Sequence, residues 1–121
     1  MDYQTINLRE KLTRFDDTWA PKVIAEINDY QVKLVKLDGE FLWHSHEETD
    51  EGFLCLEGEM TIELRDGAVT LKPDDMFIVP RGMEHRVVDA RGCSALLIEP
   101  RGVLNTGDGN SDLAAENDVW V

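Results

Sequence analysis

Between Pro21 and Pro100 the chain is interrupted every few residues by a turn signal, and nothing between the interruptions reads as a helix. The runs KVIAEIN (22–28), YQVKLVKLD (30–38), EFLWHSH (40–46), GFLCLEG (52–58) and EMTIELRDG (59–67) are rich in β-branched, aromatic and alternating apolar residues. AVTLKP (68–73), DMFIVP (75–80), EHRVVD (84–89) and CSALLIE (93–99) continue the series. Turns are expected at Asn28-Asp29, Gly39, Gly58, Asp66-Gly67, Pro73-Asp74, Pro80-Arg81-Gly82 and Arg91-Gly92. Gly, Asn and Asp tolerate positive φ there, and Pro presets the turn. Short strands at near-even spacing, with no helix between them, predict an all-β antiparallel sandwich or barrel.

The two ends read differently. Asn7 is placed to cap a short N-terminal helix, with Glu10 three residues on and Leu8, Leu12 and Phe15 near one face. The tail after Pro100 is polar as far as DLAAEN (112–117), where one helical turn is expected, and its VWV end is expected to dock. A chain of 121 residues suits one domain: 1–121, with a barrel core over about 22–100 and a tail, 101–121, packed on it.

The net charge of −13, from 12 Lys and Arg against 25 Asp and Glu, argues against nucleic-acid and anionic membrane partners. No apolar run approaches the ~20 residues that span a bilayer. The N-terminus lacks the basic and apolar regions of a secretory signal, which predicts a cytoplasmic protein. Cys55 and Cys93 lie apart, each in an apolar run, and read as small buried hydrophobes.

Of three histidines, two fall in HSHEETDEGF (44–53), among Glu47, Glu48, Asp50 and Glu51. Residues two apart on a strand share a face, so His44 and His46 point together, while Phe41, Trp43 and Ser45 point the other way. If Glu51 opens the next strand facing inward, Phe53 and Cys55 share its face, and His85 can converge from a neighbouring strand. Imidazole and carboxylate donors together suit a divalent transition metal: Fe, Mn, Ni, Zn or Cu. A solvated acidic turn is the alternative, and Asp50 rivals Glu51 as the carboxylate.

Gly39, His44, His46, Glu51 and Gly58 resemble the first motif of the cupin superfamily. Asp74, Pro80, Gly82, His85 and Asp89 resemble the second. Asp74 stands where the family has Gly, Asp89 where it has Asn, and the gap from Gly39 to His44 is one residue short. The chain is similar to small single-domain bacterial members of the conserved-barrel type, among them proteins like mannose-6-phosphate isomerase. The resemblance implies a double-stranded β-helix (jelly-roll) barrel and a homodimer. It also implies one divalent transition metal per subunit, held by His44, His46, Glu51 and His85.

It further implies a metal-dependent enzyme acting on a small molecule, of dioxygenase or sugar isomerase or lyase type. The alternative is a metal-dependent binding module or sensor without turnover. Glu51 and Glu48 are the candidate catalytic carboxylates. Phe53, Cys55, Met60, Met76 and Arg81 are candidates to line the pocket. Phe41 and Trp43 are expected either to form an apolar outer patch that meets a second subunit or to pack under the N-terminal segment.

Overall fold

The computed structural model describes residues 3–107 and 115–121. A short helix, α1 (Leu8–Leu12), precedes six strands: β1 (Lys22–Ile27), β2 (Tyr30–Gly39), β3 (Glu51–Leu64), β4 (Gly67–Leu71), β5 (Met76–Val79) and β6 (His85–Pro100). All pairings are antiparallel. The order is β1-β2-β6-β3-β4, with β5 on the other side of the first part of β3. This is the jelly-roll barrel, with the expected N-terminal helix.

Two predicted turns are instead bends within strands. β3 runs on through Gly58 and β6 through Arg91-Gly92, and their register shifts between Cys55 and Thr61. Gly58 has φ +68°, and a Cβ there would lie 2.2 Å from the Arg91 carbonyl oxygen. Glycine therefore serves a bulge that bends a long strand around the barrel. A bulge and a hairpin share this residue signal, so only the pairing separates them.

Residues 40–46 are not a regular strand. Their ladder contact is a single antiparallel bridge between His44 and His85. Without a continuous ladder the alternation of faces fails, and Phe41 turns inward instead of outward. It is 6% exposed, stacks on Trp19 with centroids 5.0 Å apart, and meets the His44 ring edge-on. Trp43 is half-buried beneath two guanidinium groups, Arg65 at 3.8 Å and Arg86 at 5.1 Å from the ring centroid. The two residues do not form an apolar outer patch, so the surface expected to meet a second subunit is not there. Packing against the N-terminal segment holds for Phe41, through Trp19.

The barrel interior holds Val35, Leu37, Phe53, Cys55, Met60, Ile62, Val87 and Leu97. A second cluster lies outside, where Leu12 and Phe15 cover Ile24 and Leu34. The cap on α1 is as read: the Asn7 side chain accepts from the Glu10 amide at 2.9 Å. At the other end Val23 donates to Val119 O and Val121 donates back to Val23 O, laying the C-terminal residues along β1. Half of the expected helical turn at 112–117, residues 112–114, lies outside the described residues, and 115–117 are not helical. Among the described residues no helix is long and apolar enough to cross a membrane.

Candidate metal centre

Three separate pieces of chain bring the site together. His44 and His46 come from the irregular segment, Glu51 from the first residue of β3, and His85 from the first residue of β6. The bridge sets the pair: His44 N donates to His85 O at 3.0 Å, and His85 N donates to His44 O at 2.9 Å. Their rings sit with centroids 4.3 Å apart. Behind His46 the chain passes so closely that a Cβ on Gly107 would lie 2.2 Å from Ser45 O and 3.1 Å from the imidazole.

All four side chains are buried, and one donor atom from each lies within 4.8 Å of the others. His46 Nε2 and His85 Nε2 approach Glu51 Oε1 at 3.2 and 3.4 Å. Among the described residues these three atoms are buried yet make no aligned hydrogen bond. Buried polar atoms are rarely left so, and three in mutual contact form a hole shaped for a common partner. Adjacent donors about 2.1 Å from one ion stand roughly 3.0 Å apart, close to the spacing seen. The residues therefore fit a metal ion.

Tautomers and charge agree with this. Nδ1 of His44 lies 2.9 Å from Leu42 O and Nδ1 of His85 lies 3.0 Å from Met83 O. A backbone carbonyl accepts the Nδ1 proton in each case and leaves Nε2 as the donor toward the centre. Burial, reinforced by the neighbouring His85, pushes His44 down to about 4, so its ring is neutral at pH 7. Burial works to raise Glu51, but His46, His85 and the Glu99 carboxyl beside it hold it below the usual carboxylate range.

Glu99 and Lys33 were not singled out by the sequence reading. Lys33 Nζ lies 2.9 Å from Glu99 Oε1, with side chains 3% and 1% exposed, and Glu99 reaches Glu51. Burial and the Glu51 carboxylate push Glu99 well above its ordinary value, against the pull of Lys33. A signal was present. Lys33 shares a parity with Val35 and Leu37, and Glu99 with Cys93, Ala95 and Leu97, so both sit on inward faces. Charges at inward positions of neighbouring strands announce a buried pair.

Beside the centre is a cavity of about 40 Å³, bounded by Trp19, Val35, Phe41, His44, Glu51 and Phe53 among others. Of the residues expected to line it, Phe53 does. Cys55 and Met60 are wholly buried in the barrel core and lie off its walls. Met76 is 54% exposed, because the short β5 turns that side chain to the outer face. Arg81 is exposed, and its amide donates to Asp50 Oδ1, so Asp50 braces a turn instead of joining the centre. Glu48 is exposed on a depression on the far side of His46, away from the cavity. Both thiols are free; burial raises Cys55 and pushes Cys93 up to about 12, which keeps them protonated.

A jelly-roll barrel with three imidazoles and a carboxylate gathered at one point defines a class of β-barrels with a centre that could hold a metal ion. Comparison with known proteins supplies the family: residues 32–99 match the Cupin domain, and the chain belongs to that family. A cupin-2 domain containing protein from Shewanella frigidimarina is 47% identical, over 79% of this chain and 94% of its own, with a TM-score of 0.78. Protein NMB1881 from Neisseria meningitidis is 35% identical over 80% and 99%, with a TM-score of 0.73. YdbB of Bacillus subtilis is 42% identical over 64 residues, 52% of this chain, and the match spans 57% of its length.

Proposed function

We propose that this chain is a metal-dependent cupin acting on a small molecule, with one divalent transition metal held by His44, His46, Glu51 and His85. The observation that carries the reading is the contact among His46 Nε2, His85 Nε2 and Glu51 Oε1, three buried atoms that no other group among the described residues satisfies. The candidate ions are Fe, Mn, Ni, Zn and Cu, which accept mixed imidazole and carboxylate donors. Held by these four side chains, such an ion would supply Lewis-acid chemistry and, if iron, redox chemistry. The protein's own part is to hold His44 neutral, to fix the tautomers through Leu42 O and Met83 O, and to exclude water with Phe41 and Phe53.

Glu51 is committed to the centre, and Glu48 faces elsewhere. Among the described residues bounding the cavity there is no second acid or base free to carry a substrate proton. That favours chemistry without a separate proton shuttle, as in an oxygenase, over sugar isomerisation. It equally favours the competing reading, a binding module without turnover. Oxygen uptake by the Fe(II)-loaded protein with a panel of diols, thiols and 1,3-diketones tests the enzyme. Turnover supports it. A ligand that raises the melting temperature while every turnover assay stays flat assigns the binding module instead.

A further inference from the structure

The cavity beside the centre is built for one kind of ligand. Its walls are chiefly Trp19, Val35, Leu37, Phe41, Phe53 and Leu97, and the ionisable groups on it are His44 and Glu51 of the metal end. Asn105 is also present, but both ends of its amide are used: Nδ2 donates to Trp19 O and Oδ1 accepts from the Ala115 amide.

Among the described residues no cation bounds the space. Lys33 is spent on Glu99, Lys22 on Asp17, and Lys36 on the Phe15 carbonyl. A phosphate or carboxylate remote from the metal would thus be desolvated without a counter-charge. The hydroxyls of a sugar would lose water and find no partner. The space is small, about 40 Å³, which suits an occupant of roughly one ring.

We infer that the ligand is a small, uncharged, monocyclic aromatic or enol-type molecule that offers an oxygen to the metal end and its apolar body to Trp19, Phe41 and Phe53. Phosphorylated and polyhydroxylated sugars are excluded. This rests on the metal reading for the oxygen contact, but its apolar half rests on the walls alone. Trp19 and Phe41 are then the specificity residues. They stack at 5.0 Å with planes 15° apart, so each holds the other's ring in place.

The test uses phenol and glucose 6-phosphate as probes, titrated by calorimetry into zinc-loaded and metal-free protein, with zinc content measured on the same samples. Phenol is expected to bind at least tenfold more tightly than glucose 6-phosphate in both forms, and more tightly in the zinc-loaded form. Trp19→Leu and Phe41→Leu keep apolar volume while removing a ring. Each is expected to weaken phenol at least tenfold with zinc content unchanged. Equal or tighter binding of glucose 6-phosphate overturns the inference, as does phenol affinity that neither variant alters. Failure to take up zinc overturns the metal reading instead, and the metal-free titrations still decide this one.

Discussion

At the scale of single residues, burial decides the charge at the centre. An ordinary histidine takes a proton near pH 6.5, whereas buried His44 resists until about 4. Between those values the unfolded chain binds the extra proton and the folded chain does not, so metal-free protein loses stability as pH falls through that window. The loss assigned to His44 is on the order of 3 kcal/mol. Glu99, shifted the other way, gains stability over part of the same range, so the wild-type slope alone is ambiguous. Denaturation of metal-free wild type and His44→Asn at pH 7 and pH 4 isolates the histidine: the variant is expected to lose less on acidification. The pair beneath the site makes a second prediction. Lys33→Met leaves buried Glu99 Oε1 without its hydrogen-bond partner and is expected to cost about 1–3 kcal/mol in a urea melt. Adding Glu99→Leu is expected to restore most of that, since replacing both partners by apolar groups leaves no buried polar atom unpaired.

Elements bring these residues together, and glycine governs how. Gly58 and Gly92 both sit at the β3–β6 bulge with positive φ, yet they differ in space. A Cβ at Gly58 collides with backbone of the opposite strand, whereas nothing lies within 4 Å of one at Gly92. Gly58→Ala is therefore expected to destabilise by roughly 3 kcal/mol or more. Gly92→Ala is expected to cost only the left-handed strain, about 1 kcal/mol. Equal effects in thermal melts would contradict the bulge geometry. Asp74, which stands where the family motif has Gly, has φ +79° and donates its amide to Cys55 O. It keeps the backbone shape that glycine would supply, and Asp89, at φ +51°, holds a left-handed conformation that Asn and Asp both tolerate. The departure at Asp74 thus leaves its turn intact.

For the whole molecule, the even spacing of apolar runs and turn residues was enough to announce the barrel, because a period of two and Gly, Asn or Pro punctuation are local properties. The gathering of His44, His46, Glu51 and His85 was legible through motif spacing. What could not be read depended on pairing. Gly58 looked like a turn until its partner strand was known, and Phe41 looked outward until residues 40–46 proved too irregular to alternate. Met76 was placed inside by its chemistry, although β5 turns it outward. Lys33 and Glu99 lie 66 residues apart, and the β2–β6 register, which sets Lys33 opposite Leu97, makes them diagonal neighbours on one face. The account as a whole depends on one ion held at one point. Elemental analysis of freshly purified wild type beside His85→Ala, each checked for an intact fold, tests this most directly. The expected result is close to one transition-metal ion per chain in the wild type, with most of it lost in the variant. A folded wild type that takes up no ion when offered Fe(II), Mn(II), Ni(II), Zn(II) or Cu(II), or a variant that retains a full complement, would contradict it.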